Sequence, residues 1–528
     1  MQNQPKEFLL PASCEEITRW FDALTDGYSE LLDGQIDYKP MNGHYLALQL
    51  FGDVSQITEH EIDEAKIKVT KKLELIGKLH EKIINTALPS PTLKQIYLDA
   101  LEEYRKKFLM LFRAIPLEAA KWGYELDNAT ATVGAQRSES YNHEIWGLPV
   151  SENIHEVKWI MEEIHRLYDT KKENISQEEQ AIFAGFLSHI QTIFSSTDEE
   201  ITSPRSEKTS KKNIKNPALT KKIFWPTHQK YIFEQIIASE AALLAPDASS
   251  WRVKLDPSKS SMSTDQYDRS ISIPGNADNM RSVDNVLAIF SHEFGKHAIS
   301  GMNANKFFGQ WFKWKGYLPL EEGFAKIFEH ITTGDVKTLD DLASLSTSPA
   351  LSMITTFVAE QYNLEDAINI MHIYRKLSSS SPSSIKKETV MASLLRAKRF
   401  FPLHTPWAST KDLAYTRWLT QAIYVLQEAE TIERMYALMQ DVNFAKLWLD
   451  DLQRVQLLKQ ELLLTDEYIN QTSFVSRRVY RLISGESDTP SPWSTHIDEL
   501  IHATPLSPKA QKIIESLKVY ITDILNAK

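Results

Sequence analysis

A mainly α protein with one small antiparallel β-sheet (α+β) is the fold this chain predicts, and three observations lead there. Glycine is scarce, 17 of 528 residues, so the residue that most often weakens helix interiors is rare. Apolar residues recur three and four apart through long stretches, the period of one helix face. Only two short segments, WRVKL at 251–255 and RSISIP at 269–274, alternate apolar and polar residues in the manner of strands.

The first long helix is expected over 57–88, where Ile62, Ala65, Val69, Leu73, Ile76, Leu79 and Ile83 share a face. Pro89 and Pro91 interrupt it, and a second helix follows over 93–112. A third covers 154–168. From 195 to 222 the chain turns polar, with seven basic residues between Arg205 and Lys222. A charge run without aromatic residues reads as a solvated loop rather than an anionic-surface contact. The two alternating segments are expected to pair with each other, and a helix is expected over 282–300. The Ser-rich piece at 378–384 reads as a loop. Helical periodicity returns after 420 and runs to 458. A last helix starts near Ser507, whose hydroxyl can cap it ahead of Pro508. At about 100–200 residues per domain, this divides the chain into an N-terminal helical region (1–194), a polar linker or insertion (195–222), a catalytic core (223–430) and a C-terminal helical extension (431–528).

Composition removes several classes of function. Lys and Arg number 59 against 70 Asp and Glu, a net charge of −11. That balance argues against a nucleic-acid partner, which selects a basic face. No run of about 18 apolar residues is present, so no membrane span is expected. The N-terminal stretch has no charged segment leading into a long apolar core, as a secretion signal would. A cytoplasmic setting is expected, although export by a signal-independent route is compatible with the same sequence. The single cysteine, Cys14, excludes an intrachain disulfide and any Cys-based zinc or iron–sulfur centre. A metal in this chain must be held by histidines and carboxylates.

The chemistry-bearing residues lie in AIFSHEFGKHAIS, which supplies His292, Glu293 and His297, and in LPLEEGFAKIFEH, which supplies Glu321, Glu322 and His330. Two imidazoles and one carboxylate form a ligand set for one catalytic Zn2+, with a fourth position left for water. A glutamate beside the first histidine is placed to act as general base on that water. The spacing is unusual. Histidines four apart sit about 40° apart around an α-helix, whereas five apart gives about 140°. One π-type turn would bring both to one face, and Gly295 between them eases such a distortion. Glu321 and Glu322 point about 100° apart, so only one should ligate. His330 is expected in a supporting or structural role rather than as a ligand, and His404 in FPLHTPW could reach the cleft from a loop but reads as structural.

HEFGKH followed by EEGFA resembles the microtubule-associated tyrosine carboxypeptidase family and its bacterial relatives, whose pattern is HExGTH and then a Glu-Gly turn opening a helix. RAKRF at 396–400 is similar to the family's RxxRG segment and TKDLAY at 410–415 to its TKDxxY segment. EIWGLPV at 144–150 is a weaker match. The likeness spans roughly residues 50–430. It implies zinc ligands His292, His297 and Glu322, with Glu293 as base. It also implies removal of a C-terminal tyrosine, an activity best known on α-tubulin. Three positions depart from the pattern: Lys296 stands for Thr, Ser300 for Arg and Phe400 for Gly.

A carboxypeptidase must also recognise a free carboxylate, which the planar fork of arginine matches. Arg396 and Arg399, three apart on one helix face, are candidates, with Lys411 and Arg417 behind them. The alternative for both arginines is an ordinary salt bridge. Tyr415 could donate its hydroxyl to the oxyanion of the tetrahedral intermediate or simply pack. Asn303 could touch substrate or cap a turn. The expected partner is a protein or peptide with a free C-terminus. Two alternatives stand beside this reading: an endopeptidase or a protease of another protein tail, and an inactive helical scaffold. A purely structural metal site has no need of Glu293, which speaks against the scaffold.

Overall fold

In a computed structural model of the chain, the described residues are 12–28, 57–89, 91–121, 124–195, 250–257, 261–265, 268–276, 279–298, 317–332, 351–379 and 381–413, with scattered positions at 32, 51, 225–237, 259, 345 and 417–423. They are mostly helical, with one three-stranded sheet. The linker at 196–222 and the extension at 431–528, including the expected helix at Ser507, lie outside them.

Among the described residues, six α-helices come first. They are α1 (Ala12–Thr25), α2 (Glu59–Asn85), α3 (Pro91–Ala120), α4 (Asn128–Trp146), α5 (Ile154–Lys171) and α6 (Gln177–Ser195). A capping box starts α2: the Thr58 backbone N–H donates to the Glu61 carboxylate at 3.0 Å. Of the seven residues expected on its apolar face, six are buried and Leu73 is partly so. Helix α3 runs eight residues beyond the expected end, straight through Pro116. Helix α4 has no apolar stripe to betray it, because it buries polar groups; Ser138 and Asn142 are both fully buried.

Strands β1 (Arg252–Asp256), β2 (Ser263–Asp265) and β3 (Ser270–Pro274) form a sheet in the order β1-β3-β2. The two alternating segments are indeed strands, but the expectation that they pair antiparallel is corrected. β1 and β3 run parallel, with Val253 opposite Ile271, while β2 is antiparallel to β3. The reason is topological. The chain reverses direction twice between β1 and β3, and β2, only three polar residues long, lies between the two reversals. β3 is therefore central, and all five of its residues are buried.

The second half continues with α7 (Val283–Phe290), a π-helical turn over Ser291–Ala298, α8 (Tyr317–Thr332), α9 (Leu351–Gln361), α10 (Leu364–Ser378) and α11 (Lys387–Ala397). Two apolar clusters join the halves. In the first, α1–α4 pack around Phe324, Ile327 and Phe328 of α8 and around Phe400 and Phe401. In the second, α5 and α6 pack against α9–α11 and Leu413. Full burial of a side chain such as Phe324 is worth about 1.5–3 kcal/mol, so the N-terminal helices anchor the segments that carry the chemistry. Among the described residues no helix is long and apolar enough to cross a membrane.

Candidate metal centre

The HEFGKH segment forms the π-helical turn that its five-residue histidine spacing predicts. The wider turn brings His297 back beside His292, their ring centroids 4.9 Å apart. Helix α8 packs against this turn and delivers Glu322 to both rings. Nε2 of His292 lies 3.6 Å from Oε2 of Glu322, and Nε2 of His297 lies 3.9 Å from its Oε1. One donor atom from each of the three residues falls within 4.8 Å of the other two. Ligand atoms at 2.0–2.1 Å from a tetrahedral ion stand about 3.3 Å apart. The donor set and its spacing thus fit a metal ion after small side-chain adjustments.

The other nitrogen of each ring is occupied as well. Nδ1 of His292 lies 2.7 Å from Oε1 of Glu329, which also accepts from Lys326 Nζ at 2.8 Å. Nδ1 of His297 lies 2.8 Å from Oε1 of Glu321. Of the paired glutamates, Glu322 faces both Nε2 atoms, and Glu321 backs His297. Glu329 was not foreseen. Its signal was there, because a residue seven after Glu322 falls two turns on and on the same helix face. His330, one position further, is not part of the ligating group.

Charge follows this geometry. Burial pulls the His292 imidazole down, but hydrogen bonds to Glu322 and Glu329 outweigh it and hold the ring at about 10. Burial pushes Glu322 up, yet His292, His297 and Lys411 bring it to about 2. Glu329, likewise opposed by burial, is held at about 2 by His292 and Lys326.

Glu293 is buried on the same turn. Its carboxylate Oε2 lies 2.7 Å from the Thr264 hydroxyl of β2, which is also 3.0 Å from the Glu293 carbonyl oxygen. The small sheet thus fixes the rotamer of the candidate base. The Arg281 guanidinium, just ahead of α7, feels the Glu293 charge; nothing in the sequence pattern marked it.

Arg396, Arg399 and Lys411 come together around Asp412. Arg396 donates to Asp412 through Nε at 2.9 Å and Nη2 at 3.2 Å, and Arg399 through Nη2 at 2.8 Å. The arginines are thus engaged in salt bridges, but Nη1 of Arg399 is buried without a partner. Lys411 is 5 % exposed. Burial, with Arg399 and Arg396, pushes its ammonium down to about 7, while Asp412 and Glu322 oppose the shift. Lys411 has no hydrogen-bond or ion-pair partner among the described residues. Two arginines therefore share the Asp412 carboxylate, and Lys411 lies close enough to feel both Asp412 and Glu322.

Polar groups of the N-terminal helices hold this cluster. Asn142 Oδ1 accepts from the Thr410 backbone N–H at 3.0 Å, and Asn142 Nδ2 donates to Ser409 Oγ at 3.2 Å. The Glu118 carboxylate accepts from the Phe400 N–H and from Lys121 Nζ at 2.7 Å. Phe400 has φ of +68°, a left-handed conformation that glycine adopts at no cost. Its ring stacks on Trp146, with centroids 6.3 Å apart. Arg417 pairs with Glu156 and donates to the Leu148 carbonyl. His404 is exposed. Asn303, Tyr415 and Ser300 lie outside the described residues.

No family model, no curated protein and no solved structure matches this chain.

Proposed function

We propose that this chain is a zinc-dependent peptidase, and specifically a carboxypeptidase that removes the last residue of a protein or peptide with a free C-terminus. The observation that carries the reading is the π-helical turn, which brings His292 and His297 to Glu322 while keeping Glu293 beside them. Such π-type turns favour functional sites, and this one falls where two histidines and a glutamate would need it to share an ion. Zinc, when bound to His292, His297 and Glu322, would polarise the scissile carbonyl and bring the pKa of water to about 7. Glu293, held by Thr264, takes the proton of the attacking water and passes it to the departing amine nitrogen.

The finer reading rests on the cationic cluster. Lys411 and the unpartnered Nη1 of Arg399 offer donors to a substrate carboxylate next to Glu322. Two further points favour the resemblance to the tyrosine-removing family. The left-handed backbone of Phe400 falls where the family pattern has glycine, and Trp146 of the weaker EIWGLPV match stacks on that residue. Lys296, where the pattern has threonine, is fully buried, so the residue released need not be tyrosine.

Two measurements test the proposal. Elemental analysis of protein purified without chelator should find about one zinc per chain, and none in His297→Ala. Metal-free wild type, even after zinc is supplied, would sink the reading. A peptide library with free C-termini should then be cleaved and the matching C-terminal amides largely refused. Lys411→Met should raise KM for the free acids by about 10–100-fold, the loss expected for one charged hydrogen bond of about 1.5–3 kcal/mol. Equal cleavage of acid and amide would remove the carboxypeptidase assignment and leave an endopeptidase.

A further inference from the structure

We propose that Glu321 and Glu329 are positioning residues that set both imidazoles for one metal ion, and that Lys326 moderates one of them. The inference rests on the metal-site reading above and extends it to residues that touch no ion themselves.

Each histidine is gripped at both nitrogens by one helix. His292 meets Glu322 at Nε2 and Glu329 at Nδ1, and His297 meets Glu322 at Nε2 and Glu321 at Nδ1. All three carboxylates belong to α8. Glu322 and Glu329, seven apart, share a face, while Glu321 is turned by about 100° and reaches the far side of His297. A neutral imidazole that donates Nδ1–H to a carboxylate must present its lone pair at Nε2. Both rings then aim that lone pair at the space beside Glu322. A carboxylate acceptor also makes the ring a stronger donor to a metal than a carbonyl would.

The two contacts differ. Glu321 is 7 % exposed in its side chain and backs His297, whereas Glu329 is 22 % exposed and divides its charge between His292 and Lys326.

The test is zinc affinity of the full chain, measured by competition with a chromophoric chelator, with circular dichroism as the check on folding. Glu321→Gln and Glu329→Gln should each weaken zinc by about 10–100-fold, the range for loss of such supporting carboxylates. Lys326→Met should leave affinity equal or tighter, because Glu329 then serves His292 alone. Nitrogen-15-labelled histidine supplies a second readout: two strongly downfield Nδ1–H proton signals in the zinc-loaded wild type, with one lost or moved upfield in each Gln variant. Those signals report each Nδ1–H bond to its carboxylate directly, and loss of one with the other unmoved distinguishes a local change from general loosening of the fold. Wild-type affinity in both Gln variants with unmoved Nδ1–H signals would overturn the inference while leaving the zinc site intact. Absence of zinc in the wild type would instead overturn the metal reading beneath it. A loss in Lys326→Met as large as in Glu329→Gln would assign Glu329 to the lysine rather than to His292.

Discussion

Glu293→Gln should retain zinc and lose turnover by about 10²–10⁴-fold, the usual worth of a general base. The substitution keeps size and shape, and its amide can still meet the Thr264 hydroxyl that lies 2.7 Å from Oε2 in the native chain. What it loses is the ability to take a proton. Glu293 is not among the three residues whose donor atoms converge, so metal content should remain at the wild-type level. The two readouts together separate base from ligand. Zinc lost along with activity would recast Glu293 as part of the metal site. Turnover within tenfold of wild type, with zinc present, would mean that another group moves the proton and would remove the mechanism proposed above.

Asp412→Asn should be the most damaging single change to stability away from the metal. Asp412 is buried and accepts three hydrogen bonds from two arginines, and Lys411 stands beside it. Burial alone would raise its pKa, but Arg399, Arg396 and Lys411 hold it well below the usual carboxylate range. Asparagine leaves those cations buried without a counter-charge, a loss of about 3–5 kcal/mol for breaking one side of a buried pair. The pH dependence has a definite sign. A depressed carboxylate pKa contributes stability that is fully present above its unfolded value of about 3.9 and is lost as pH falls through the folded value. The gap between wild type and Asp412→Asn in urea midpoint should therefore be largest near pH 5, shrink below about pH 4, and narrow again toward pH 7 as the Lys411 ammonium, held at about 7, loses its proton. A variant as stable as wild type at pH 7 would show that the arginines find other partners, and the surplus of positive charge assigned to this cluster would be wrong.

How much of this was legible beforehand varies with the range of the interaction. Helices α2, α3 and α5 announced themselves through apolar spacing, since burial on one face imposes the 3.6-residue period directly. Helix α4 did not, because its buried face carries Ser138 and Asn142, and polar residues in the core erase the pattern that is being read. The strands were found but their direction was not. Pairing direction depends on how many times the intervening chain reverses, and the three residues of β2 are too few and too polar to register as a strand.

The metal group divides along the same line. HEFGKH carried a good deal by itself: three residues of the right chemistry, a five-residue spacing that brings both histidines to one face only if the helix widens, and a glycine between them. Those are local properties of the segment and hold wherever it sits. Choosing Glu322 over Glu321, enlisting Glu329, pairing both arginines with Asp412 and aiming Asn142 at Thr410 were matters for the tertiary structure. Glu321 acquires its role only because His297 stands within 2.8 Å, and Asn142 reaches a segment 268 positions away. Contacts of that kind obey no period along the chain, since they are set by which faces of α4, α8 and the π-helical turn come to rest against one another.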